Sequence, residues 1–178
     1  MALACFLTGS GVGSGVFARG DSASPDSGAT TFLLVRHAER DTLLLGSDPP
    51  LSAAGLRRAL TLVHALGDAG ISAIYVTEFL RNRQTAMPLA ARLGDSLRVL
   101  RGRNFAEQAW RLKAEHAGQT VLIVGHSDTI PQLIEALSGC KVPAFGRNEW
   151  DALYVVTVFK DRPAKVLLLR YGEPSSGR

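Results

Sequence analysis

A chain of 178 residues with 46% hydrophobic and 20% charged side chains can bury one sizeable core, so a single folded domain is expected and a disordered or fibrous chain is excluded. The net charge of +4 at pH 7 is mildly basic, yet no Lys/Arg run marks a nucleic-acid surface, and 7% aromatic content is thin for base stacking. Cys5 and Cys140 lie too far apart in sequence and too few in number for a disulfide scaffold or a zinc-ligand spacing, and no membrane span is expected.

Residues 1–30 are rich in Gly and Ser and carry only Arg19, Asp21 and Asp26 as charges, which reads as a flexible leader or the remnant of an export signal ahead of a domain at 31–178. The GSGVGSG run within it has no preceding strand and no following Gly-Lys-Ser/Thr, so it is not read as a phosphate loop. The apolar run 32–35 then predicts a strand buried on both faces, and it ends abruptly in Arg36 and His37. Residues 41–50 form a loop by their Gly, Ser, Asp and Pro content. Ser52 is an N-cap candidate for a helix whose apolar residues Leu56, Ala59, Leu60, Val63 and Leu66 recur at helical spacing until Gly67 and Gly70. His64 on that helix is read as a surface or boundary residue.

A second strand at 71–76 ends in Thr77 and Glu78, with Arg81, Asn82, Arg83, Gln84 and Thr85 close behind on a helix that runs to about 93, with Pro88 as a kink or first turn. A short strand at 97–100 precedes Arg101 and Arg103, and 105–117 reads as a helix with Trp110 on its inner face and His116 as a dipole-compatible end residue. The most apolar strand, 120–124, delivers Gly125, His126, Ser127 and Asp128 to a helix at 129–137. Strands at 150–159 and 164–171, joined by Asp161-Arg162-Pro163, suit an antiparallel hairpin. The fold class is therefore α/β: a three-layer sandwich of a mostly parallel central sheet between helices, closed by an antiparallel C-terminal hairpin.

Ligands bind such sheets outside the carboxyl ends of the strands. If the three strands neighbour one another, Arg36, His37, Arg81 and His126 converge on one edge. Guanidinium forks bind phosphoryl oxygens, and imidazole can attack phosphorus or donate a proton, so the set suits phosphoryl transfer to a histidine without a metal or other cofactor. His37 is the expected nucleophile; Arg36 and Arg81 would clamp the phosphoryl group and His126, protonated against the bound dianion, would donate from the other side. A serine-hydrolase elbow in Gly125-His126-Ser127-Asp128-Thr129 lacks the final glycine, and a metal held by His37, His126 and Asp128 would face flanking arginines.

These residues resemble the histidine phosphatase superfamily, the phosphoglycerate mutase-like fold. The resemblance rests on Arg36-His37-Ala38 after the first strand, the TEFLRNRQTA segment with Arg81 at the phosphate-binding position, Gly125-His126 after a later strand, and the Leu-Ser-x-x-Gly start at Leu51 within 48–59. It implies a phosphomonoester hydrolase acting through a phosphohistidine on His37, on a small phosphorylated substrate. The family's usual catalytic acid falls at Gly102, which leaves Asp128, Glu107 and Glu39 as candidate proton donors, Asp128 foremost. The spacing from Arg81 to His126 leaves no room for a large cap, which implies a small uncapped branch and favours hydrolysis by water. The alternatives are a phosphomutase of the phosphoglycerate mutase type and a catalytically weak phosphate-binding module.

Overall fold

The computed structural model of the chain describes residues 28–44 and 46–176. Of the segment read as a leader, residues 1–27 lie outside the described residues, while Ala29 and Thr30 already belong to the first strand. The strands are β1 (Ala29–Arg36), β2 (Ile71–Val76), β3 (Leu97–Val99), β4 (Thr120–Gly125), β5 (Ala152–Phe159) and β6 (Lys165–Arg170). The helices are α1 (Ala53–Leu66), α2 (Leu80–Leu93), α3 (Phe105–Glu115) and α4 (Thr129–Ser138). They build one six-stranded sheet in the order β3-β2-β4-β1-β5-β6. The first four strands in that order run parallel, and β5 and β6 are antiparallel to their neighbours.

Strand residues alternate between two cores because successive side chains point to opposite faces. Phe32, Leu34, Tyr75, Val121 and Ile123 pack against α3 and α4 through Ala109, Leu112, Ile130, Ile134 and Leu137. Leu33, Val35, Ile74, Val76, Leu122 and Val124 pack against α1 and α2 through Leu62, Leu66, Ala86 and Leu89. Both faces of the parallel strands are thus covered, as their uninterrupted apolar runs require. Among the described residues no helix is long and apolar enough to cross a membrane.

Three local expectations are corrected. On α1 the buried positions are Gly55, Arg58, Ala59, Leu62 and Leu66, while Leu56 and Leu60 are 49% and 62% exposed. The helix is turned by two features that hydropathy ranks as poor core residues. Gly55 packs directly on the carbonyl of Glu39, where any Cβ would collide, and Arg58 points inward to Glu39 in a bidentate pair at 2.7–3.0 Å. On α3 the inward stripe is Phe105, Gln108, Ala109 and Leu112, so Trp110 falls off it and is 69% exposed. Of the two readings of Pro88, a kink or a first turn, the first turn is excluded, because Pro88 stands in the interior of α2.

His64 is exposed, as expected. His116 caps α3 but is buried, with Nε2 at 2.9 Å from the Tyr75 hydroxyl and Nδ1 at 2.8 Å from Gln119 Oε1. It joins α3 to the sheet, a role that its place in the last turn did not reveal.

Candidate active site

Strand register alone brings the two sequence-distant histidines together. Arg36 lies opposite Gly125 across the parallel β1–β4 ladder, so the next residues, His37 and His126, emerge side by side. The His37 N–H continues the ladder to the Gly125 carbonyl at 2.9 Å, and the two imidazole rings meet edge to face with centroids 5.4 Å apart. On the other side of β4, Val76 pairs with Val124, which places Thr77 at His126 and the start of α2 above it. The cleft that results, about 320 Å³, is lined by Arg36, His37, Arg40, Arg81, Arg103 and His126 with Phe79, Ser127 and Asp128. Four arginines and two histidines against one carboxylate make it a receptor for an anion.

His37 is buried, and its Nδ1 lies 2.8 Å from the Ala38 carbonyl. A carbonyl only accepts, so Nδ1 carries the proton and Nε2 keeps its lone pair. Burial is the main force that lowers the His37 pKa to about 3; the Ala38 bond opposes it, and Arg36, His126 and Arg81 lower it further. At neutral pH the ring is therefore uncharged, the form a nucleophile needs.

Arg36 is anchored by Nη1, which donates to the carbonyls of Gly146, Arg147 and Glu149 at 3.0–3.1 Å, and its guanidinium lies over Trp150. Arg81 lies over the Phe79 ring, 4.5 Å from its centroid, and its Nη1 is 3.3 Å from Asp48. In both residues Nε is buried without a partner among the described residues. Two unspent donors from two elements of the cleft are matched by an acceptor-rich ligand such as a phosphoryl group.

His126 is held through Nε2, at 3.1 Å from Thr77 Oγ1 and 3.2 Å from Asn82 Nδ2, with Phe79 edge-on to the ring. Its backbone N–H donates to Thr129 Oγ1 at 2.8 Å, and Gly125 before it is packed closely enough on Ile130 that a Cβ there would displace the Ile130 side chain. Burial first, and then the Arg81 charge, lower its pKa to about 4, with Asp128 and Glu78 opposing. In the free site His126 is neutral, where a charged form had been expected with the dianion bound; only the ligand's own charge would draw a proton onto it.

The three candidate acids are each committed elsewhere. Asp128 lines the cleft, but Arg103 Nη2 donates to its Oδ2 at 2.6 Å. Burial would raise the Asp128 carboxyl, and the Arg103 bond outweighs it, so the group sits below the ordinary carboxylate range and is ionised. Glu39 is locked to the buried Arg58, which also donates to the carbonyls of Tyr171 and Glu173. Glu107 accepts from Asn104 Nδ2 while its own N–H donates to Asn104 Oδ1, a reciprocal cap of α3. Of the three, only Asp128 lines the cleft, and its ionised carboxylate is paired with Arg103 in the free site.

Other residues that build the site were legible only as polar letters. Thr85 is fully buried: its Oγ1 accepts the Ala38 N–H at 3.0 Å and donates to the Arg81 carbonyl at 2.8 Å. Asp48 accepts the Leu80 N–H at 2.9–3.0 Å, closing the N-terminus of α2 that its own N-cap residue, Phe79, leaves open. Thr77, Asn82 and Arg40 were likewise unassigned, because what they touch is set by strand order. Among the described residues no group of three or more His, Cys, Asp or Glu is placed to hold a metal ion.

A family model described as histidine phosphatase superfamily (branch 1) matches residues 32–111. The fold is similar to solved structures over most of the chain. The protein histidine phosphatase SixA, solved with tungstate, is 21% identical, with TM-score 0.66, covering 79% of this chain and 96% of its own. A structure of a SixA-type protein from Nakamurella multipartitia, named for phosphohistidine phosphatase activity, is 25% identical, with TM-score 0.55, covering 83% of this chain and 98% of its own. The mycobacterial glucosyl-3-phosphoglycerate phosphatase is 17% identical, with TM-score 0.62, covering 81% and 100%. No curated protein matches the chain.

Proposed function

We propose, for a chain that belongs to the histidine phosphatase superfamily, that it hydrolyses small phosphorylated substrates through a phosphohistidine on His37. The observation that carries this reading is the ring of His37: buried, neutral, and with its proton fixed on Nδ1 by the Ala38 carbonyl. Its Nε2 lone pair forms the bond to phosphorus while the bond from phosphorus to the leaving atom breaks, the electron pair departing with that atom. Arg36 and Arg81 offer their free Nε donors to the equatorial oxygens, and His126 donates from the opposite side. Water then attacks the phosphohistidine; the N–P bond breaks, its electron pair returns to Nε2, and inorganic phosphate leaves as the dihydrogen form, carrying the water's oxygen and both its protons.

Leaving-group chemistry follows from the carboxylates. Asp128 is ionised by Arg103, and Glu39 and Glu107 are bonded to Arg58 and Asn104 outside the cleft lining, so the leaving atom meets no carboxylic acid in the cleft. Substrates whose leaving group is weakly basic, an imidazole or a phenolate, are therefore favoured over alkyl phosphates. The SixA-like neighbours, named for phosphohistidine, are consistent with that class. The open cleft favours water over a second phosphoryl acceptor, which argues for hydrolysis above the mutase reading.

Release of phosphate from p-nitrophenyl phosphate tests the reading. The wild type is expected to turn over and His37→Ala to lose at least about a thousandfold, the range for removal of a covalent nucleophile. Full activity in His37→Ala removes the reading, and an inactive wild type that still binds phosphate makes the protein a binding module.

A further inference from the structure

We propose that Asn82 is a positioning residue that sets the tautomer of His126, donating its amide N–H to Nε2 so that the ring proton rests on Nδ1, the nitrogen left for the ligand. This deepens the phosphatase reading and rests on it for its purpose. Asn82 is fully buried in the first turn of α2, beside Arg81, with Nδ2 at 3.2 Å from His126 Nε2. The Thr77 hydroxyl reaches the same nitrogen at 3.1 Å. Nδ1 has no protein partner among the described residues, and His126 lines the cleft.

The arrangement answers a problem that the cleft itself creates. A neutral imidazole has one N–H and one lone pair. If the proton sat on Nε2, the Nδ1 lone pair would confront the phosphoryl oxygens, acceptor against acceptor. The surroundings discourage a second proton: burial and the cations Arg81 on α2 and Arg103 before α3 act against it, with Asp128 at the start of α4 and Glu78 after β2 opposing and neutral His37 at the end of β1 alongside. An amide donor behind Nε2 lets a neutral His126 still donate forward. The same amide can turn to accept from Nε2–H when a bound dianion draws a second proton to the ring; Asn82 Oδ1, buried without a donor in the free site, is the group that turn would satisfy.

The test reads the ring directly. Two-bond hydrogen–nitrogen NMR of the free wild-type protein at pH 7 is expected to show His126 as the Nδ1–H tautomer; an Nε2–H signal overturns the proposal without any variant. Asn82→Asp keeps the shape but can only accept, so His126 in it should carry its proton on Nε2 and titrate at least about one pH unit higher. Its hydrolysis of p-nitrophenyl phosphate should fall roughly tenfold at pH 8 and recover as pH is lowered, where the wild type stays flat. An unchanged His126 signal in Asn82→Asp, or a uniform loss at every pH, overturns the assignment. Because the tautomer is measured without turnover, its failure leaves the phosphatase reading intact, and loss of that reading by His37→Ala leaves the tautomer measurement standing.

Discussion

The backbone N–H of Ala38 donates to the buried hydroxyl of Thr85 at 3.0 Å, and that hydroxyl in turn donates to the Arg81 carbonyl at 2.8 Å. The residue after the proposed nucleophile is thus tied to the turn that carries Arg81, a proposed phosphate ligand. Thr85→Val keeps the volume and the helical bond to the Arg81 carbonyl but strands the buried Ala38 N–H, which costs about 1–3 kcal/mol. Urea denaturation should show that loss, and turnover should fall further than stability alone explains because His37 and Arg81 lose their shared reference point.

Arg58 and Glu39 form a bidentate pair, with Arg58 5% and Glu39 18% exposed, and Arg58 also holds the chain end at Tyr171 and Glu173. Removing one partner of such a pair leaves a buried charge uncompensated. Arg58→Met is expected to destabilise by about 3–5 kcal/mol, and Glu39→Leu added to it should recover part of the loss. A double-mutant cycle in urea checks both; a strictly additive result would mean that the pair has no coupling.

Asp128 and Arg103 are half exposed or more, so their pair contributes about 1 kcal/mol at most. Asp128→Asn should leave stability nearly unchanged and should lower turnover of p-nitrophenyl phosphate by less than about tenfold, because an ionised carboxylate does not supply the leaving group's proton. A loss near the 100- to 10,000-fold range of a general acid would restore Asp128 to that role.

The folded-state pKa values of about 3 for His37 and about 4 for His126 lie below the unfolded value of 6.5. Between those limits the unfolded chain binds protons that the folded chain refuses, so unfolding free energy rises with pH across this window and is lost as pH falls through it. The urea midpoint should drop between pH 7 and pH 5, and the drop should be smaller in His37→Asn. A midpoint that is level or rises on acidification would contradict the burial of neutral rings.

The sheet and the ends of its strands were legible because β1 and β4 carry short uninterrupted apolar runs and β2 a short apolar run broken only by Ser72, which suits covered strands. Polar or charged residues follow each of them closely, so Arg36, His37, Arg81 and His126 were expected on one edge provided that the three strands were neighbours, as the strand order makes them. What stayed hidden depends on tertiary contact. Arg58 looks like a surface residue until Glu39 draws it in, and that choice turns Leu56 and Leu60 outward. Asn82, Thr77 and Thr85 are ordinary polar letters on a helix start until strand order sets His126 and Ala38 beside them. Asp128 carried the right chemistry at the right edge, and only the Arg103 contact settles its charge.

The most direct test of the central claim is to incubate the protein with an isotopically labelled phosphoryl donor and map the label by mass spectrometry under alkaline conditions. The account predicts an acid-labile, base-stable phosphoryl group on His37, absent from His37→Ala and lost to water on incubation. A label that survives acid, sits on another residue, or persists in His37→Ala would contradict it.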